Sequence, residues 1–235
     1  DKMFCILPFE KEYFKNKWNW DVTYVGHPLL RVIESFKSTT PLVTDNKKVI
    51  ALLPGSRKQE IEKKLPLMLS VAIHFPAYQF VVAQAPGLND EWFKSLISPQ
   101  LNVHVVKAST YALLQHSKAA LVTSGTATLE TALLNVPQVV CYKGSPITYA
   151  LAKFFVKIKF IALVNLIMEK EVVKELIQDE LNTNNLVVAL SKLLEDSKTQ
   201  KEISANYAAL KEILMTGEKA TDVAAEIIME TIQKK

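Results

Sequence analysis

From Lys48 to Lys143 the chain alternates unbroken apolar runs with amphipathic stretches, and this alternation limits the folds open to it more than any other feature. The apolar runs are 48–53 (KVIALL), 78–85, 102–107, 119–124 and 137–143, and the stretches at 57–75, 89–97, 110–117 and 126–135 lie between them. A strand that is apolar at every position is buried on both faces, as parallel strands covered by helices are. The intervening stretches are long enough for helical crossovers. The expectation is an α/β fold with a doubly wound parallel sheet, Rossmann-like, whose ligand lies at the C-terminal ends of the strands.

The flanks differ. Residues 3–7 and 21–26 read as short strands, 9–18 as a helix, and 27–36 as a helix with Pro28 at its opening. Residues 37–47 are polar, contain Pro41 and read as a linker, with a domain boundary near residue 40. From about Thr183 onward the pattern is helical only, with a break at Gly217. The expected division is 1–36, linker 37–47, sheet domain 48–205 and a helical tail 206–235 that packs back toward the N-terminal side. At 235 residues the chain is long for one domain and short for two. It opens on a strand-like run without an initiator Met and reads as a fragment.

Composition narrows the function. A net charge of +4 suits an acidic ligand or an anionic surface and gives no reason to expect nucleic acid. Cys5 and Cys141 sit in apolar runs, which favours free thiols and a reducing compartment. No Cys/His spacing fits zinc, so no metal is expected. Neither a GxSxG elbow nor an HExxH helix is present, and His27, His74, His104 and His116 form no triad pattern. His27, at a strand end, is expected to be structural. The stretch Leu65–Asn89 lacks Lys, Arg, Asp and Glu, but Pro66, Pro76, Pro86 and Gly87 break it, so a helix followed by a strand fits better than a membrane span.

Four loops at strand ends carry the candidate chemistry. In the first, Gly55 and Ser56 form a turn before a helix, where unsatisfied N–H groups and the macrodipole attract anions, and Arg57 can fork onto phosphate oxygens. The same residues also read as a tight turn with a solvated Arg57. In the second, Ser124, Gly125 and Thr126 open another helix, with Glu130 within reach of ligand hydroxyls; N-capping by Ser124 or Thr126 is the plainer reading. The third, from Tyr142 to Phe160, mixes Lys153, Lys157 and Lys159 with Phe154, Phe155 and Phe160, and suits either an anionic lipid surface or a core-facing stripe. The fourth holds Asn165, then Glu171, Glu175 and Gln178 at helical spacing on one face. Those residues could read sugar and base edges, or form a solvated face with Lys174 as an ion-pair partner.

The stretches ILPFEKEYF, YVGHPLL, LLPGSRKQEI, TSGTATLETALLNVPQVVCYKGSPITYALAK and EVVKELIQ, in this order over residues 6 to about 180, resemble the lipid-A-disaccharide synthase family of glycosyltransferases. The resemblance implies a GT-B architecture, of which this chain is the C-terminal, donor-binding half plus a remnant of the acceptor half. It implies an inverting transfer of 2,3-diacylglucosamine from a UDP carrier to 2,3-diacylglucosamine 1-phosphate, with a β-1,6 link and no cofactor or metal. The donor site would draw on Gly55, Ser56, Arg57, Ser124, Gly125, Thr126, Glu130, Tyr142, Asn165, Glu175 and Gln178. Arg57 and Asn165 would support catalysis, while the acidic base is expected in an N-terminal domain outside this chain. The resemblance further implies a cytoplasmic enzyme, peripheral on the inner face of the inner membrane, and leaves room for a homodimer. The family commonly has small residues and an Arg after the position of Asn165, where this chain reads LIMEKE. Another GT-B enzyme, such as a UDP-sugar 2-epimerase or a peptidoglycan N-acetylglucosaminyltransferase, and a non-catalytic nucleotide-sugar-binding module remain the alternatives.

Overall fold

The computed structural model describes residues 2–36, 47–97, 102–145, 159–215 and 220–233. The chain divides into two compact units, Asp1–Lys37 with Asn206–Lys235, and Ser38–Ala205.

The larger unit is built on a six-stranded, wholly parallel sheet. Its strands are β3 (Lys48–Leu53), β4 (Tyr78–Gln84), β5 (Val103–Lys107), β6 (Ser117–Thr123), β7 (Gln138–Tyr142) and β8 (Lys174–Ile177), in spatial order β5-β4-β3-β6-β7-β8. The helices are α3 (Lys58–Leu69), α4 (Asp90–Ser95), α5 (Thr110–Gln115), α6 (Thr126–Leu133), α7 (Leu163–Met168) and α8 (Thr183–Glu195), followed by α9 (Ser197–Leu214), which runs on into the other unit. Strand burial explains the apolar runs. Val49, Ala51, Leu53, Val81, Ala83, Ala120 and Val122 pack with Leu113 and Leu114 in one core cluster. Their opposite-phase neighbours Ile50, Leu52, Phe80, Val82, Ala119 and Leu121 are equally inaccessible. Both faces of the sheet are therefore covered, and a polar residue at any of these positions would leave hydrophobic contact unmade. Each Val, Leu, Ile or Phe among them contributes roughly 1.5–3 kcal/mol by leaving water.

The strand order reverses between β3 and β6. This is the switch point at which neighbouring crossovers diverge and leave a crevice.

The smaller unit contains a parallel pair, β1 (Phe4–Cys5) with β2 (Thr23–Tyr24), together with α1 (Pro8–Trp18), α2 (Leu29–Ser35) and α10 (Ala220–Gln233). The strands form a sheet of their own. Ion pairs Lys211–Glu34 and Arg31–Asp222 tie its N-terminal and C-terminal segments together. His27 is buried, and its Nδ1 accepts a hydrogen bond from the Leu29 N–H at the start of α2, a structural use of the ring.

Two expectations about elements need correction. The helix expected over 57–75 stops at Leu69, and a 3₁₀ turn at Ala72–His74 follows it. The helix expected to carry Glu171, Glu175 and Gln178 on one face does not exist. Glu169 adopts a left-handed conformation (φ 53°) and ends α7, after which Lys174–Ile177 becomes a strand in register with β7. The order exposed Lys174, buried Glu175, buried Leu176 fits an edge strand whose charged residues are individually accommodated. Among the described residues no helix is long and apolar enough to cross a membrane.

Candidate functional site

At the switch point the loops after β3 and β6 enclose a cleft of about 410 Å³, lined among others by Gly55, Ser56, Arg57, Ser124, Gly125, Thr126 and Glu130. Gly55 has φ +105° and Gly125 φ +149°, conformations that glycine adopts without a Cβ penalty. A Cβ on Gly55 would lie 3.2 Å from Thr123 Cγ2 and 3.6 Å from a Glu60 oxygen, so the first loop lies close against the end of β6.

Both helices that start at the cleft lack a side-chain cap. Arg57 is the N-cap of α3 and Gly125 the N-cap of α6, and neither end has a side-chain hydrogen bond. The expected capping of α6 by Ser124 or Thr126 is therefore absent. The Ser124 hydroxyl instead donates to the Ile161 carbonyl at 2.9 Å. N-terminal N–H groups that no side chain satisfies are the donors an anionic ligand requires.

Beneath the first loop runs a charged chain of contacts. Arg57 Nη1 donates to Glu60 Oε1 at 3.0 Å, and Lys64 Nζ donates to Glu60 Oε2 at 3.2 Å and to Thr123 Oγ1. The Arg57 side chain is 82 % exposed and that of Lys64 only 2 %. Burial pushes Glu60 up, but its bonds and attraction to Arg57 and Lys64 outweigh this and hold the carboxyl below its ordinary value. Burial lowers the Lys64 ammonium, and Glu60 partly restores it. On the far wall Glu130 accepts from the Tyr111 hydroxyl at 3.0 Å. Burial, then the Glu130 charge, push that phenol up to about 12, so it stays a donor.

The remaining expected residues stand elsewhere. Asn165 is fully buried: its amide donates to the Val173 carbonyl and to Glu175 Oε1 at 2.8 Å each, and its oxygen accepts from the N–H groups of Val172 and Val173. Glu175 also accepts from the N–H groups of Ile161 and Ala162, just before α7. Gln178 Oε1 accepts from the Gly144 N–H at 3.2 Å, and Tyr142 packs beneath Gly144. These four residues are not among those lining the cleft. Asn165 and Glu175 reach it indirectly, because Ile161 joins Glu175 to Ser124. In the basic-aromatic stretch, Lys153, Phe154, Phe155 and Lys157 lie outside the described residues, while Lys159 is exposed and Phe160 half-buried.

Sequence reading passed over Glu60, Lys64, Thr123 and Tyr111. The Glu60–Lys64 spacing of four on a helix was the available signal.

The profile of the family described as lipid-A-disaccharide synthetase matches residues 1–229. The chain is 34 % identical over 244 residues to lipid-A-disaccharide synthase 1 of Legionella pneumophila strain Philadelphia 1, covering all of this chain and 63 % of that protein. It is 33 % identical over 245 residues to lipid-A-disaccharide synthase of Geobacter sulfurreducens, again 100 % of this chain and 63 % of that protein. The chain thus spans less than two thirds of the length of these relatives. Among solved structures, UDP-GlcNAc 2-epimerase from Neisseria meningitidis bound to UDP-GlcNAc superposes with TM-score 0.61 at 19 % identity, covering 92 % of this chain and 56 % of that one. The glycosyltransferase SnogD from Streptomyces nogalater superposes with TM-score 0.55 at 22 % identity, covering 80 % and 47 %. These likenesses bear on the fold, a Rossmann-like half of the GT-B type. By its sequence, the chain belongs to the lipid-A-disaccharide synthetase family.

Proposed function

We infer that the cleft between the loops after β3 and β6 is the UDP-sugar donor site of an inverting glycosyltransferase of lipid A assembly. The observation that carries this reading is the pair of helix N-termini without side-chain caps, beside the glycine-lined turns and Arg57, on one cleft at the switch point. A departing nucleoside diphosphate develops negative charge on its bridging oxygen. Fixed N–H dipoles and a guanidinium stabilise that charge without reorganising. In this reading Glu130 accepts from ribose hydroxyls, and the Tyr111 hydroxyl donates to one of its oxygens. Asn165 and Glu175 act behind the site by fixing Ile161, which receives the Ser124 hydroxyl.

In this reading the donor is UDP-2,3-diacylglucosamine and the acceptor 2,3-diacylglucosamine 1-phosphate, joined by a β-1,6 bond. The catalytic base belongs to a part of the enzyme outside this chain. Acylated substrates place the reaction at a bilayer, on the cytoplasmic face of the inner membrane, with Lys153, Lys157 and Lys159 drawing the protein to anionic headgroups. Vesicle sedimentation tests that contact: the parent pellets with anionic vesicles at low salt, and Lys153→Glu with Lys157→Glu does not.

The donor reading itself is tested by titrating the chain with UDP and then supplying both acylated sugars, with product read by mass spectrometry. UDP binding without turnover supports a donor module that needs the rest of the enzyme. No binding of UDP contradicts the reading.

A further inference from the structure

We propose that Lys64 is a positioning residue for the anion site: its buried ammonium joins Glu60, and through Glu60 the Arg57 guanidinium, to Thr123, so that the loops after β3 and β6 keep one fixed spacing. This inference rests on the donor-site reading.

The contacts are specific. Lys64 projects from the second turn of α3 and is among the largest fully buried side chains of the protein. A buried ammonium is retained only where partners meet its donors. Here they are the Glu60 carboxylate and the Thr123 hydroxyl, one from α3 and one from the last residue of β6. Both branches of Thr123 are engaged, the hydroxyl by Lys64 and the methyl against Gly55. The residues that follow Thr123 are Ser124 and Gly125, the start of the second loop. Glu60 in turn holds Arg57, whose side chain would otherwise sample solvent freely. Fixing a long, exposed cation before the ligand arrives reduces the entropy lost on binding.

The network also sets the charge under the cleft. Arg57 and Lys64 are both cationic against the single carboxylate of Glu60, which leaves the first loop net positive. Without Lys64, Glu60 would neutralise Arg57 and cancel the attraction for a diphosphate.

Calorimetric titration of the 235-residue chain with UDP tests this. Lys64→Met, which keeps the stem and removes the ammonium, is expected to weaken UDP by about fivefold or more. Lys64→Arg recovers part of the loss. Because Lys64 acts through Glu60 on Arg57, Arg57→Ala combined with Lys64→Met loses less than the product of the two single effects. If Lys64→Met fails to fold by circular dichroism, Thr123→Val removes only the hydroxyl partner and is expected to weaken UDP as well. A folded Lys64→Met or Thr123→Val that binds UDP as the parent does, while Arg57→Ala binds weakly, overturns the positioning role and leaves the donor site standing. A parent that does not bind UDP overturns the donor site and this inference with it.

Discussion

Asn165 donates its side-chain amide to Glu175 at 2.8 Å, and the two residues between them hold four backbone N–H groups, those of Ile161, Ala162, Val172 and Val173. This pair pins Ile161 and Ala162, just before α7, to Val172 and Val173, just before β8. Replacing Asn165 by Leu strands two buried N–H groups and part of a buried carboxylate. The cost of unmet buried partners is about 1–3 kcal/mol each. Asn165→Leu is therefore expected to destabilise the sheet domain by ~3 kcal/mol, read as a lower urea midpoint at unchanged slope.

Gly55 and Gly125 make a graded pair. Both have φ in the region that favours glycine, but a Cβ on Gly55 would press on Thr123 at 3.2 Å whereas one on Gly125 meets nothing within 4 Å. Backbone strain costs on the order of 1–3 kcal/mol at either position. Gly55→Ala is expected to lower the urea midpoint further than Gly125→Ala, because it also presses the first loop away from the end of β6. Equal midpoints would show that the first loop does not press on Thr123 at this point.

His27 predicts a pH dependence of known sign. Burial holds its imidazole below the ordinary value of about 6.5, with Glu10 opposing weakly. Above that pH neither folded nor unfolded chain protonates it, and its contribution to stability is complete. As the pH falls below about 6.5 toward the lower folded value, the unfolded chain takes up the proton first, and stability is lost. His27→Asn is expected to show a smaller drop in urea midpoint between pH 7.5 and 5.5 than the parent. An identical drop in both proteins would assign the effect to other groups.

How much of this was legible in the sequence follows from what each side chain meets. Strands β3, β4 and β6 were readable because Val49–Leu53, Phe80–Ala83 and Ala119–Val122 are apolar without interruption, and only a strand covered on both faces requires that. In β5 the valines are half-buried and His104 is exposed, so its place followed from its spacing among the other runs. Strand β8 was not, because Lys174 and Glu175 interrupt its apolar residues and the spacing of Glu171, Glu175 and Gln178 imitates a helix face. Its strand state comes from pairing with β7, a long-range contact that local pattern does not carry. The turns at Gly55 and Gly125 were legible because glycine follows the apolar runs directly, whereas that Gly55, Arg57, Ser124 and Gly125 line one cleft comes from the strand order. Lys64 was not. In EKKLP it reads as a solvated lysine, and only the fold brings Thr123, 59 positions along the chain, against it. Asn165 and Glu175 were picked out as contacts to a ligand, and in the structure their hydrogen bonds go to the backbone and to each other.

The central claim is that the cleft over Gly55, Arg57 and Gly125 holds the diphosphate of a UDP-sugar, and isothermal titration with UDP tests it most directly. A charge-assisted contact to phosphate contributes about 1.5–3 kcal/mol, so Arg57→Ala is expected to weaken UDP roughly tenfold or more while leaving the unfolding free energy within about 0.5 kcal/mol of the parent. UDP affinity unchanged by Arg57→Ala would contradict the account.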